Sequence, residues 1–188
     1  MAKIFFTNDV HFGHGNVIKF DNRPFETVEE MDKELVNRWN KKVGKNDTVY
    51  ILGDFLWRTH KKDAVELISS LKDKKVLIKG NHDGFLLKTD AVELFEDIRD
   101  YGDIVVNLAG DKPVRCILSH YYILLYNGYR WGAVHLHGYS HSTAEAKLEK
   151  NIENYLAEND LKTRVFNVGC MYWDYAPVTL DEILNNMG

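Results

Sequence analysis

Short apolar runs alternate with longer segments of helical spacing through the first half of the chain, and each apolar run ends in Asp, Asn or His. Lys3 to Thr7 (KIFFT) reads as a strand opening into a polar loop. From Val28 to Val43 the apolar positions Val28, Met31, Leu35, Val36 and Trp39 follow a helical period, with acidic residues in the first turn where they complement the helix dipole. Thr48 to Leu52 (TVYIL) predicts a buried strand, Ala64, Val65, Leu67, Ile68 and Leu71 a second amphipathic helix, and Lys75 to Lys79 (KVLIK) the next strand. The β-α-β-α-β order predicts parallel strands covered by helices.

The second half changes character. Ile104 to Leu108 and Val114 to Leu118 flank Ala109-Gly110-Asp111-Lys112-Pro113, which reads as a hairpin. Val134 to His137 and Val165 to Val168 predict short strands, with Leu148, Ile152, Tyr155 and Leu156 at helical spacing in Ala144 to Glu158 between them. That helix is longer than the spacing of the polar clusters requires, and it reads as sheet cover, a lid or a dimer face. Thr179-Leu180-Asp181-Glu182 has capping-box form and starts a last helix. Together these elements predict an α/β (α+β mixed) fold of two packed mixed β-sheets flanked by helices. No repeat, low-complexity segment or linker divides the 188 residues, so a single domain over 1–188 is expected.

Composition narrows the function. A hydrophobic fraction of 45% and a charged fraction of 28% are ordinary for a soluble protein. Net charge is −4, which lacks the global basic footprint of nucleic-acid binders. No stretch approaches the roughly 18 apolar residues of a membrane span, and the N-terminus runs straight into a strand rather than a signal peptide. Cys116 and Cys170 lie in apolar strand-like runs and read as buried free thiols in a reducing compartment, so the expected location is cytoplasmic.

The strand-end clusters carry the chemistry. They are Asp9-Val10-His11, Gly53-Asp54, Gly80-Asn81-His82-Asp83, Ser119-His120 and Gly138-Tyr139-Ser140-His141. Carboxylate, amide and imidazole groups presented at several strand ends converge on one sheet edge and suit divalent metals that activate water. Each cluster alone is weak, since Asp-x-His is usually a surface accident and Gly-Asp usually a turn. Their succession in order, each after a strand, is the strong signal. His14, in a glycine-flanked loop after His11, reads as a contact for a substrate phosphate or as a solvated loop histidine. Arg23 and Arg58 could each clamp a phosphate or form a structural ion pair. His60 reads as a polar helix-start residue, and His135 and His137, alternating with Val134 and Leu136, as structural hydrogen-bonding groups on one strand face. Trp131, Trp173 and Tyr175 read as core or rim aromatics.

These motifs resemble the calcineurin-like metallophosphoesterase family, through its D-x-H, G-D, G-N-H-D and strand-end His blocks and a partial match to a final G-H-x-H. Phe12-Gly13-His14, Arg23-Pro24-Phe25, Phe166-Asn167-Val168-Gly169 and Trp173 to Ile183 are similar to a small bacterial and phage-borne branch of predicted phosphoesterases. The resemblance implies a four-layer αββα sandwich and two divalent ions, Mn foremost, with Fe, Zn or Ni as alternatives. It implies Asp9, His11, Asp54 and His141 as ligands of the first ion, and Asn81 and His120 as ligands of a second bridged by Asp54. It implies a phosphomonoester or phosphodiester hydrolysed by in-line attack of a metal-bound hydroxide, His82 protonating the leaving oxygen and Asp83 orienting His82. The expected partner is a small phosphorylated molecule, with no membrane.

The chain departs from the family pattern at Tyr139, where a His is expected. A phenol with pKa near 10 is a poor ligand for Mn²⁺ or Zn²⁺. On an extended strand His137 shares its face but lies about 6–7 Å further back. Three accounts stand: a second site short of one protein ligand, Tyr139 acting as a ligand, or a loss of activity. Tyr139 supports a competing reading as a metal-binding scaffold that kept the fold; a nuclease acting on short oligonucleotides is a further alternative, against which the net charge of −4 counts.

Overall fold

The computed structural model describes residues 2–57, 61–108 and 112–186. In chain order its principal elements are β1 (Ile4–Thr7), α1 (Gly15–Phe20), α2 (Val28–Lys42), β2 (Thr48–Ile51), α3 (Lys61–Ser70), β3 (Lys74–Ile78), β4 (Phe95–Arg99), β5 (Gly102–Val106), β6 (Val114–Leu118), β7 (Val134–His137), α4 (Ala144–Glu158), β8 (Val165–Asn167), β9 (Val178–Thr179) and α5 (Leu180–Asn185). One sheet has the order β4-β3-β2-β1-β9 and the other β5-β6-β7-β8. In the first, β1 to β4 run parallel and β9 is antiparallel to β1. In the second, β5 and β6 form the expected antiparallel pair while β6, β7 and β8 run parallel. This is the predicted pair of mixed sheets flanked by helices.

Side-chain alternation sets the layers. Phe5, Ile51 and Leu77 point from the first sheet into a core shared with Met31, Leu35 and Trp39 of α2 and Ala64 and Ile68 of α3. Their neighbours Phe6, Leu52 and Ile78 point the other way and meet Cys116, Leu118, Val134 and Leu136 of the second sheet. A strand apolar on both faces is what a covered parallel sheet requires. The outer face of the second sheet carries Ile117, packed with Tyr126 and Ala133. On α4, Leu156 is buried while Leu148 and Tyr155 stay exposed. Trp131 is 86% exposed, so it is no core residue, whereas Trp173 packs against the inter-sheet core and Tyr175 against the helical one. Thr179 caps α5 with both halves of the capping box in place.

His135 and His137 project from β7 away from the inter-sheet core, and their rings stack at 5.4 Å. His135 Nδ1 donates to the Ile117 carbonyl at 3.1 Å and Nε2 accepts from the Ile123 N–H at 3.0 Å, so the ring is bonded in its neutral form. Burial lowers the His135 pKa from 6.5 to about 4. Burial, helped by His135, lowers that of His137 to about 3. Because the unfolded chain takes up these protons first, stability is intact above about pH 6.5 and falls as pH drops toward 4. We expect each histidine to add about 1.4 kcal/mol of lost stability per pH unit in that window. Urea melts across it should show the slope, and His135→Gln should remove roughly one proton's worth; an unchanged slope would refute the assignment.

Candidate metal centre

Parallel pairing places the C-terminal ends of β1, β2 and β3 along one edge, and the loops leaving them are bonded to one another. Asp9 N–H donates to Gly53 O at 3.2 Å and His11 N–H to Asp54 O at 3.0 Å. The two sheets meet there: Cys170 N–H donates to Asn8 O at 2.9 Å, and Asn8 bridges to Gly169. Asp9, His11, Asp54, Tyr139 and His141 all have left-handed backbones, with φ of 52°, 55°, 50°, 69° and 42°. Such conformations are rare for residues with a side chain and cost of order 1–3 kcal/mol each. Their concentration at these strand ends turns the side chains back toward one point. Gly53 (φ 102°) permits a close approach: a Cβ there would stand 2.5 Å from His120 Nδ1 and 2.7 Å from Gly80 Cα.

The side chains converge. Ligand atoms of Asp9, His11 and His141 lie within 4.8 Å of one another, as do those of Asp9, Asp54 and His120. Asp54 Oδ2 stands between the two halves, 3.8 Å from His11 Nε2 and 3.7 Å from His120 Nε2. Asn81 Oδ1 is 2.9 Å from His120 Nε2, and His11 Nε2 is 3.4 Å from His141 Nε2. His82 reaches the same carboxylate from the rim, with Nε2 at 4.0 Å from Asp54 Oδ2 and a side chain 43% exposed. All six expected ligands are therefore brought together, with His82 beside them.

A surrounding set of bonds holds these groups. His120 Nδ1 donates to the Leu52 carbonyl at 2.8 Å, leaving Nε2 as the lone-pair atom facing inward. His141 Nδ1 is held by Asp21 at 2.8 Å. Asp21 in turn pairs with Arg23 at 3.0 Å, both side chains being fully buried. The Asn8 amide oxygen accepts from Asp9 N–H at 2.7 Å.

Several sequence expectations change here. Arg23 is not placed as a phosphate clamp: its guanidinium is taken up by Asp21 and by the carbonyls of Asp9 (2.7 Å) and Val10 (2.9 Å), which braces the first metal-type loop from behind. Asp83 does not orient the His82 ring. Its carboxylate accepts the N–H groups of Asp54, Phe55 and Gly80 at 3.0, 3.0 and 2.7 Å, tying the second and third strand-end loops together. His14 is buried, face to face with Trp57 at 3.9 Å and 8°, and is not a solvated loop residue. Position 139 is a left-handed turn and not extended strand, so His137 never shares its face; it is buried against His135 and Tyr122. The Tyr139 N–H donates to Asp9 Oδ2 at 3.0 Å, while its ring sits 5.6 Å from that of His120 and 5.0 Å from that of Tyr121. Arg58 and His60 lie outside the described residues. Asn8, Asp21 and Trp57 escape sequence reasoning because each acts through a distant loop; only the proximity of Asp21 to the Arg23-Pro24-Phe25 segment hinted at it.

The donor set fits divalent cations. Asp9 is fully buried with no hydrogen-bond partner on Oδ1, and burial pushes its pKa up to about 7 against the opposing pull of His141. Burial likewise raises Asp54 and lowers His11 and His120, so these imidazoles are neutral and the carboxylates are costly as lone anions. Burial alone would lower His141, yet the Asp21 bond and the Asp9 charge raise it, so the surroundings favour positive charge. With its Nδ1–H given to Leu52, His120 turns Nε2 toward Asn81 Oδ1 at 2.9 Å, a pair of acceptors that a cation would satisfy.

Fold and site together define a two-sheet α/β protein with a buried carboxylate–imidazole cluster at its strand ends. The family model for calcineurin-like phosphoesterases matches residues 2–186, and the chain belongs to that family. An uncharacterized protein of Methanocaldococcus jannaschii is 32% identical over 199 residues, covering 98% of this chain and 90% of its own. Gene 66 proteins of Mycobacterium phages L5 and D29 are 37% and 30% identical, covering 64% and 76% of this chain and 64% and 80% of their own, in line with the phage-borne branch read from the sequence. A crystal structure of a protein of unknown function from Aquifex aeolicus shares the fold with a TM-score of 0.69 at 22% identity, with full coverage of both chains. No helix among the described residues is long and apolar enough to cross a membrane.

Proposed function

We propose that the chain is a divalent-metal-dependent phosphoesterase acting on a small phosphomonoester or phosphodiester. The observation that carries this reading is the buried carboxylate–imidazole cluster around Asp54 with His82 half exposed at its rim. Asp9, His11, Asp54 and His141 would hold one ion, and Asp54, Asn81 and His120 a second that receives one protein ligand fewer. Bound divalent ions in such a cluster polarise phosphoryl oxygens and acidify water. His82 faces the substrate side and delivers the proton to the departing oxygen from its ring. Its backbone N–H donates to Asp54 Oδ1 at 2.8 Å, which fixes the loop relative to the bridging carboxylate. Arg23 and Asp83 act as braces, through backbone and Asp21. Net charge of −4 weighs against duplex nucleic acid as substrate. The buried free thiols Cys116 and Cys170 suit a reducing compartment such as the cytoplasm.

The test pairs metal analysis with turnover. Elemental analysis of protein reconstituted with Mn²⁺ should give two ions per chain, the second bound more weakly, and Tyr139→Phe should leave both unchanged because the phenol is no ligand. The same preparation should hydrolyse a nitrophenyl phosphate ester, and His82→Ala should suppress this by about a hundredfold or more while keeping the metal. Loss of the second ion in Tyr139→Phe would make the phenol a ligand. An inactive parent that gains hydrolysis in Tyr139→His would make the protein a scaffold that kept the fold.

A further inference from the structure

A cleft of about 600 Å³ opens directly beside the cluster, lined by Trp57, Asn81, His82, Gly84, Phe85 and Lys88. Its volume lies within the range of small-molecule sites. Two of its walls, Asn81 and His82, belong to the proposed catalytic centre. The others have no part in that chemistry, and they differ from it in kind: two aromatic rings, a glycine and one cation. We propose that this cleft is the leaving-group subsite, and that it selects phosphoric esters whose departing part is a flat aromatic group carrying an anionic substituent.

Position decides which part of the substrate lies there. In an in-line displacement the leaving group departs opposite the nucleophile, on the side of the group that protonates it. His82 is that group under the hydrolase reading, on which this inference rests, and its half-exposed ring is a wall of the cleft. Anything attached to the departing oxygen therefore extends past His82 toward Gly84, Phe85 and Lys88.

Chemistry decides what that part is. Trp57 is held rigid by His14, stacked on it at 3.9 Å and 8°, and stands 4.8 Å from the His82 ring. A wall fixed in this way favours a flat partner at low entropic cost. Phe85 supplies a second apolar surface, and a Cβ on Gly84 would meet no atom within 4 Å, so the space beside Gly84 is open. Lys88, exposed on a short helical turn (Leu86–Lys88), is the cation of the lining. An anionic substituent on the leaving group complements it.

Ethyl, benzyl and 4-carboxybenzyl phosphate test this, because their leaving alcohols differ little in basicity. The parent should rank them carboxybenzyl above benzyl above ethyl in kcat/KM. Lys88→Gln should cut the carboxybenzyl-to-benzyl ratio by about fivefold, the weight of one exposed ionic contact, with the change in KM. Gly84→Leu, which fills the open space beside Gly84, should collapse the benzyl-to-ethyl ratio toward one. A parent that hydrolyses all three with ratios unmoved by both substitutions overturns the subsite and leaves the hydrolase reading standing. A parent that hydrolyses the nitrophenyl ester but none of these three overturns the subsite alone; one that hydrolyses neither overturns the hydrolase reading, and the subsite falls with it.

Discussion

Replacing Asp54 by alanine is expected to lower phosphoester turnover by at least about a thousandfold and to reduce bound metal below two ions per chain. Its Oδ2 lies 3.8, 3.7 and 4.0 Å from the inward nitrogens of His11, His120 and His82, so one atom joins both halves of the cluster and its rim. Asp9 is also common to both groups of ligand atoms, but Asp54 in addition reaches His82 at the rim. The paired variant Asp54→Asn separates charge from shape. It keeps an oxygen for the His82 N–H, bonded at 2.8 Å to Oδ1, and removes only the negative charge. The metal-free protein should not suffer from that change. Burial raises the Asp54 pKa, so at neutral pH the ionised carboxylate is a cost to the fold, and a neutral amide relieves it. Thermal melts of metal-free Asp54→Asn should therefore match or exceed the parent while turnover collapses. Robust hydrolysis in Asp54→Ala with both ions retained would overturn the site assignment.

That opposition of stability and function runs through the strand-end loops, and it explains what the sequence could reveal. The donor residues are legible because each follows an apolar run, and parallel strands bring such ends to one edge. The elements missed have weak local signals. In β4, Phe95-Glu96-Asp97-Ile98-Arg99 is an edge strand with charged residues and no apolar run. In β9 only Val178 and Thr179 pair with β1. In α1 six residues leave no room for a helical period. The supports of the site are less legible still. Asp21 and His141 are 120 positions apart, and Arg23 reads locally as a free cation before a proline, yet folding buries both members of the Asp21–Arg23 pair. A left-handed backbone at Asp9, His11, Asp54, Tyr139 and His141 leaves no trace in residue type, since glycine is the usual marker. Tyr139 is legible as a departure from the pattern; only the structure shows that its backbone N–H, and not its ring, is bonded to Asp9.

Asp83→Ala should show the reverse of Asp54→Asn: a fold weakened first and a site lost in consequence. The Asp83 carboxylate is completely buried and accepts three backbone N–H groups, from Asp54, Phe55 and Gly80. Alanine would leave all three donors without a partner, at roughly 1–3 kcal/mol each. Removing a buried charge returns part of that, since burial raises the Asp83 pKa and those N–H bonds only partly oppose it. A net loss of about 2–4 kcal/mol in urea unfolding at neutral pH follows. Asp83→Asn should recover only part, because its oxygen can keep the Asp54 and Gly80 N–H groups while its NH₂ would face the Phe55 N–H donor. The functional loss should appear as weaker binding of the second ion, since Asn81 sits in the loop that Asp83 fastens to the Asp54 loop. His82→Ala provides the contrast, because a half-exposed ring can be removed with turnover lost and the urea midpoint kept. Parent-like midpoint and metal binding in Asp83→Ala would show that the loops hold their register without it, and the bracing role would fall.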